Sequence, residues 1–336
     1  MSFHEEMKHL YKEILANYIQ TQNEQVLYQG QKLSRKSLEN EISPEDIVSM
    51  HKEVIEEIYP DIPERVLHSL DFLLEIMISY GLAHREHQAL KNKQRELKSE
   101  IEIAVNVQQN LLSTSVPAVS SVDIGAISVP AKQMSGDYYH FVKDENGCVN
   151  IAIADVIGKG IPAAMCMSMI KYAMDSLPDS RKNPSYVLEN LNRIVEQNVD
   201  PSMFITMFYG TYDPFSHLFQ YASAGHEPGF YYSAEEDKFY DLEAKGLVLG
   251  IDRNVKYSQY ETAISSQDMI VLLTDGVTEC RVDEEFIERT DIIKLIRKYM
   301  HLSAQELVEA VYKELEKLQD FQLRDDFTLI ILKRLV

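Results

Sequence analysis

The apolar positions follow two different rhythms along the chain. Up to about residue 84 they recur at helical spacing with almost no strand signal. In "ISPEDIVSMHKEVIEEIYP", Ser43 reads as an N-cap, Pro44 as the first helical residue and Asp46 as the acid three past the cap. Ile47, Met50, Val54 and Ile58 then fall on one face, and Val66, Leu70, Leu74 and Met77 repeat the pattern after Pro63. Two further helical stretches, around 5–20 and 23–40, complete an all-α bundle over residues 1–84.

From His84 the chain runs about thirty residues without Gly or Pro, dense in long charged side chains. Leu90, Leu97, Ile101, Ala104 and Leu111 form a narrow apolar stripe, the kind that pairs with another helix. An ordinary surface helix would look similar, but a flexible linker would favour Gly, Ser or Pro. Residues 85–117 are therefore expected to be a coiled-coil-like linker helix.

Beyond Pro117, "VDIGAISVP", "VNIAIADV", "SMFITMFYGTYD", "LFQYASAG", "DMIVLLTDG" and "DDFTLIILKRLV" read as strands rich in Val, Ile, Phe, Tyr and Thr. Helical patterns from Ile161 to about Ser176, from Pro184 to Asn198, and twice after Phe286 lie between them. Grouped strands and grouped helices make an α+β domain over 118–336, without βαβ alternation.

Composition narrows the function. A formal charge of -20 argues against nucleic-acid partners and anionic membrane surfaces, and suits divalent cations or a basic protein patch. Three cysteines with no CxxC make neither a disulfide framework nor a zinc site. With no secretory leader visible and no apolar stretch approaching the ~18 residues a membrane helix needs, a soluble cytoplasmic protein is expected.

Asp155 ends an apolar strand just before Gly158-Lys159-Gly160. That triplet is not a phosphate loop, because Gly160 stands where Ser or Thr is needed and Ile153 where the first glycine is needed. Nor is it a dinucleotide fingerprint, since Ala163 replaces the third glycine. The glycines instead permit a tight turn beside whatever Asp155 holds. Asp137, Asp275 and the pair Asp325-Asp326 occupy similar strand junctions. One such acid is usually a turn former; four in one domain, without a matching set of cations, point to a cluster for Mg²⁺ or Mn²⁺. Two such ions can activate water for hydrolysis of a phosphate ester. His226 in "SAGHEPG" has no G-x-S-x-G elbow nearby, which disfavours a serine-hydrolase reading; it lines a loop, meets a substrate phosphate, or serves the turn structurally.

"SGDYYHF", "IADVIGKGIPAA", "ASAGHEPGFYY", "LLTDGVTE" and "RDDFTLIIL", in this order, resemble the SpoIIE-like branch of the PP2C (PPM) metal-dependent serine/threonine phosphatases. The resemblance implies an αββα sandwich with two Mn²⁺ or Mg²⁺ ions between its sheets. By position it makes Asp155 the bridging ligand and the Val156 carbonyl a ligand of the second ion. Asp275 and Asp325 become direct ligands of the first, with Asp326 the alternative to Asp325. Asp137 reaches metal through water, and catalysis by Asp155, Asp275 and Asp325 goes through water held by the ions. Where many relatives have a second acid, this chain has His140, and no eukaryotic-type phosphate-binding basic residue is evident.

The resemblance further implies that the substrate is a serine-phosphorylated antagonist of an anti-sigma factor. It also implies that a kinase-like switch protein activates the enzyme through the bundle and linker. Gly158, Lys159 and Gly160 are the expected moving part, His226 is expected near the substrate, and the linker stripe suggests a homodimer. Rival readings are a catalytically silent phosphatase-like scaffold and a nucleotide-binding regulator.

Overall fold

The computed structural model describes residues 3–40, 42–112, 114–132, 134–158, 160–177, 183–200, 203–282, 285–319 and 323–335. The chain forms two compact units, Met1–Glu100 and Ile101–Val336.

The first unit is helical: α1 (Phe3–Thr21), α2 (Glu24–Glu39), α3 (Pro44–Ile58) and most of α4 (Glu64–Leu112). At the start of α3, Ser43 Oγ accepts from the Asp46 amide, and the Asp46 carboxylate accepts from the Ser43 amide, so both ends of a capping box are made. Met7, Leu33 and Met50 form the small core, with Tyr11, Ile14 and Ile42 against it. Lys8 and Lys12 of α1 pair with Glu57 of α3 at 3.0 and 2.6 Å.

Two expectations change here. The shift in texture at His84 is not a break, because α4 runs unbroken for 49 residues through both the bundle pattern and the linker pattern. Nothing between Glu64 and Leu112 supplies the Pro, Gly or cap signals that stop a helix, except Gly81, whose cost of about 1 kcal/mol a long helix absorbs. Second, an 18-residue window of this helix reaches a mean hydropathy of 1.4, so by length and composition it is apolar enough to cross a membrane. The expectation that no apolar stretch approaches that length is thus corrected; Asp71 and Glu75 lie among the apolar residues, and Asp71 is ion-paired with Lys52 of α3.

The second unit is an αββα sandwich. One sheet has the order β1 (Val122–Val129), β12 (Phe327–Arg334), β9 (Met269–Leu273), β6 (Gly229–Ser233) and β7 (Lys238–Leu242). The other runs β2 (Asp137–Lys143), β3 (Val149–Val156), β4 (Ile205–Asp213), β5 (Leu218–Ala224) and β8 (Tyr260–Ala263), and all neighbours in both sheets are antiparallel. α5 (Ile161–Asp175) and α6 (Pro184–Asn198) cover the second sheet. α8 (Arg289–Tyr299) and α9 (Ala304–Leu318) cover the first. Short α7 (Asp275–Thr278) and the two-residue strands β10 (Arg281–Val282) and β11 (Glu285–Phe286) lie between β9 and α8.

Strand parity builds this architecture. In β3, Val149, Ile151 and Ile153 enter the core between the sheets, while Ala152, Ala154 and Val156 face α5 and α6. In β9 and β12 the inner positions are Ile270, Leu272, Ile330 and Leu332. The outer ones, among them Val271, Leu273, Leu329 and Ile331, meet α8 and α9. Strands apolar on both faces carry little alternation, which is why they read as continuous runs. β7 and β8 were not legible: they are short, partly exposed edge strands with charged residues among their apolar ones.

The start of α9 is fixed by close approach to β1. Ser303 and Glu306 form a second capping box, the Ala304 amide donates to Asp123 Oδ2 at 2.7 Å, and the Ala126 amide donates to Gln305 Oε1 at 3.1 Å. A Cβ on Gly125 would stand 2.3 Å from the Ala304 carbonyl. Gly125→Ala should therefore lower stability by about 1–3 kcal/mol, read as a drop in the thermal unfolding midpoint with no change in helix content.

Candidate active site

The inward face of each central strand ends in a polar residue at the same end of the sandwich. Continuing Ile151 and Ile153 by two residues reaches Asp155; continuing Phe141 and Tyr139 backwards reaches Asp137; continuing Ile330 backwards reaches Thr328 and then Asp326. Asp137 stands opposite Asp155, and Asp155 opposite Thr206, in the antiparallel register of β2, β3 and β4. Thr274 follows Leu272 on the same face of β9. An apolar core thus closes with a layer of carboxylates and hydroxyls.

Asp137 is only 4% exposed. Its Oδ2 accepts from Thr274 Oγ1 and Thr328 Oγ1, both at 2.7 Å, and its amide donates to Ser135 Oγ at 3.0 Å. Burial pushes its pKa well up, the two hydroxyls oppose that shift, and the charges of Asp155 and Asp326 add to it. Asp326, equally buried, accepts from the Ala131 amide at 2.7 Å and from the Gly136 amide. Backbone donors therefore hold this carboxylate in place.

Gly136 marks where these groups converge. A Cβ there would lie 3.3 Å from Asp155 Oδ1, 3.3 Å from the Val156 carbonyl oxygen and 3.4 Å from Asp326 Oδ2. Only glycine leaves that cradle open. Asp275 and Asp325 make a second group. Burial raises the Asp275 pKa first, then the charges of Asp325, Glu279 and, after the opposing Gly276 amide, Glu227. A Cβ on Gly276 would strike the Asp326 carbonyl at 2.0 Å, so the Asp275-Gly276 turn and the Asp325-Asp326 segment are packed backbone to backbone.

All the donors are oxygens, with no thiolate or imidazole among the acids, which fits a hard divalent cation such as Mg²⁺ or Mn²⁺. Among the described residues, no three His, Cys, Asp or Glu stand ready at ligand range. Like charges with raised pKa values resist closer approach, and a cation would relieve that resistance.

The other expected residues are placed as follows. Gly158 and Gly160 have φ of +120° and +82°, a backbone only glycine adopts readily, and Gly160 is the N-cap of α5. Lys159 and the side chain of Leu111 lie outside the described residues. Leu90, Leu97 and Ile101 are exposed along α4, and Ala104 is half-buried. His140 points by parity to the helix side of β2, away from the carboxylate layer, with Nε2 3.4 Å from Asp175 Oδ1 at the end of α5. His226 is 7% exposed, and its Nδ1 is 2.9 Å from Thr206 Oγ1. Burial lowers its pKa to about 4, so at neutral pH it is an uncharged brace inside the loop and presents no cation to an incoming phosphate.

Several participants were not anticipated from the sequence. Thr274 and Thr328 look like ordinary strand residues until their register is known. Gln108, near the end of α4, is buried and donates from Nε2 to the Ser135 carbonyl at 3.2 Å and towards Met167 Sδ of α5 at 3.6 Å. Arg289 binds Glu227 at 2.5 Å, the Pro228 carbonyl at 2.8 Å and Asp241 at 2.8 Å, with its guanidinium 4.2 Å from the Phe230 ring centroid.

Comparison with known proteins shows the family and the fold. Residues 145–335 match the family profile of stage II sporulation protein E (SpoIIE), and residues 9–83 match the N-terminal domain of phosphoserine phosphatase RsbU. The chain is 62% identical to phosphoserine phosphatase RsbU of Bacillus subtilis (strain 168) over 336 residues, covering 100% of both chains. It belongs to the RsbU-type members of the SpoIIE family of PP2C phosphatases. Two solved structures share the fold. The SiaA PP2C domain of Pseudomonas aeruginosa is 16% identical with a TM-score of 0.60, covering 73% of this chain and 99% of its own. The RsbU and RsbW domains of Rv1364c from Mycobacterium tuberculosis are 24% identical with a TM-score of 0.57, covering 66% and 64%.

The raised pKa of Asp137 carries a sign for metal-free protein. The folded state holds the proton more tightly than the unfolded one, so stability is lost as pH rises from the ordinary 3.8 towards the higher folded value. Asp137→Asn removes that loss. In chelator, the unfolding midpoint of Asp137→Asn should rise relative to the unsubstituted protein as the pH increases above the ordinary value of 3.8; a difference that does not change with pH would contradict the assignment.

Proposed function

We propose that this chain is a Mn²⁺- or Mg²⁺-dependent protein serine phosphatase that dephosphorylates a phosphorylated antagonist of an anti-sigma factor, and so promotes release of a general stress sigma factor in the cytoplasm. The observation that carries the reading is the convergence of the Asp155 carboxylate and the Val156 carbonyl on the Gly136 cradle beside Asp326. Two divalent cations held there would supply Lewis acidity and an acidified water at neutral pH.

The chain's own residues have distinct tasks in this reading. Asp155, Asp275 and Asp325 are the direct cation ligands, the Val156 carbonyl serves the second cation, and Asp137 acts at one remove. Thr274 and Thr328 orient the Asp137 carboxylate by donating to it. The Ala131 and Gly136 amides hold Asp326 in place at the rim. Gly158 and Gly160 let the backbone turn at once from Asp155 into α5, and Pro162 in the first turn of that helix fixes its direction.

Regulation is assigned to the bundle and α4. A cavity of ≈ 470 Å³ in the bundle is walled by apolar side chains that include Tyr18, Leu27, Leu38, Ile47 and Met77. Leu27, Tyr28 and Leu38 are exposed, an apolar surface suited to the kinase-like switch protein. Gln108 links α4 both to the segment carrying Gly136 and Asp137 and to α5, so a shift of α4 has a direct route to the carboxylates.

Asp155→Asn should fold normally and lose at least about 100-fold in Mn²⁺-dependent turnover, roughly 3 kcal/mol of barrier. Turnover of a phosphoserine substrate with Mn²⁺ and with chelator measures it. If the unsubstituted protein shows no Mn²⁺-dependent turnover even with its activator, the silent-scaffold reading replaces this one.

The exposed stripe of α4 is assigned to self-pairing. Leu97→Glu combined with Ile101→Glu should convert a dimer to a monomer in sedimentation equilibrium, because each buried charge at a helix seam costs several kcal/mol, about 2 or more.

A further inference from the structure

The four residues from Gly225 to Pro228 carry the chain from β5 of one sheet to β6 of the other, at the end of the sandwich where the carboxylates gather. His226 lies within this crossing and is 7% exposed. The backbone around it is held from both sides. Its amide donates to Ser223 Oγ at 3.1 Å, and Arg289 donates to Glu227 and to the Pro228 carbonyl. On the ring, Nδ1 meets Thr206 Oγ1 at 2.9 Å, and Thr206 is the residue opposite Asp155 in the pairing of β3 with β4. The other nitrogen, Nε2, is buried and makes no hydrogen bond. An N–H left there without an acceptor is costly.

The first sheet offers an acceptor in need of a donor. The Thr274 amide donates across to the Thr328 carbonyl of β12, so the preceding residue of β9, Leu273, turns its own N–H and C=O towards β6. Continuing the β6–β9 register, in which Phe230 stands opposite Val271, sets Pro228 opposite Leu273. Proline has no N–H to give. The Leu273 carbonyl is thus short of its ladder donor. Burial lowers the pKa of the His226 ring, and the Leu273 backbone opposes that fall, which places the two groups beside each other.

We infer that His226 is a crossbar between the two sheets: Nδ1 accepts from the Thr206 hydroxyl, Nε2–H serves the Leu273 carbonyl, and the ring thereby fixes the spacing of Asp155 and Asp275. Leu273 stands two residues before Asp275 and one before Thr274, whose hydroxyl holds Asp137. One small ring therefore ties the strand end that bears Asp155 to the strand end that bears Asp275. The task requires a neutral imidazole, because a protonated ring has no lone pair for the Thr206 hydroxyl. His226 is accordingly a positioning residue, acting on cation binding through two strands and making no contact with the substrate phosphate.

This inference rests on the phosphatase reading for the purpose of the site, but its test reads cation binding directly. In calorimetry of Mn²⁺ on the full-length protein, His226→Ala should weaken binding by about tenfold or more, the usual effect of losing a group that supports metal ligands. Thr206→Val removes only the hydroxyl and should weaken binding in the same direction. The double substitution should be no worse than His226→Ala alone, because both changes cut one link. At saturating Mn²⁺, KM for an aryl phosphate should be unchanged in both variants. With ¹⁵N-labelled histidine and Mg²⁺ as the cation, the His226 ring should be neutral with its proton on Nε2. Unchanged Mn²⁺ affinity in both variants overturns the inference, as do losses that simply add. A KM that rises at saturating Mn²⁺ overturns it too, since the ring would then touch the substrate, and so does a proton found on Nδ1. If His226→Ala does not fold, Thr206→Val and the ring tautomer decide. Absence of Mn²⁺-dependent hydrolysis in the unsubstituted protein, with the Mn²⁺ coupling intact, would instead defeat the phosphatase reading and leave the crossbar standing.

Discussion

The second unit depends on how one end of an apolar sandwich is closed with carboxylates. Burying Asp137 and Asp326 beside Asp155 opposes both solvation and like-charge repulsion. The fold answers with short-range neutral donors: two threonine hydroxyls on Asp137 and two backbone amides on Asp326. Neutral donors stabilise a carboxylate without cancelling its charge. Asp137 and Asp326 held in this way remain oxygen donors of the kind a divalent cation takes.

The same requirement explains where side chains are missing. Gly136 and Gly276 stand where a single methyl group would fill the oxygen cradle or push the Asp326 backbone away. Gly158 and Gly160 lie one turn from the cradle in conformations that other residues resist. A site whose backbone approaches this closely has little slack. Gln108 touches both the segment that leads into Asp137 and α5.

Much of this was legible because strand parity is strict. The runs ending at Asp155 and Asp275 announce buried strands, and an acid at such an end is costly without a purpose. The α3 capping box could be read residue by residue and is present as read. Other features were hidden for equally physical reasons. Thr274 and Thr328 acquire meaning only from pairing between β9 and β12, more than fifty residues apart. The continuity of α4 was masked by a change of composition at His84 that alters the solvent-facing pattern and leaves the helical hydrogen bonds intact. β7 and β8, edge strands with exposed charges, had no strong period to reveal them.

The acidic pair at the start of β12 shows how a pleat divides neighbouring residues between tasks. Leu332, Ile330 and Thr328 fix the inward parity, so Asp326 must point between the sheets, where the Ala131 and Gly136 amides receive it. Asp325 is one residue earlier and so falls outside that row. It is half-buried, caps the Asp326 amide with its own Oδ1 at 3.0 Å, and faces the charge of Asp275. A shift by one residue would exchange the two, placing the acid that faces Asp275 inside the amide cradle and breaking the contact at Gly276. Two adjacent aspartates are therefore not interchangeable: one accepts from the Ala131 and Gly136 amides, and the other faces Asp275.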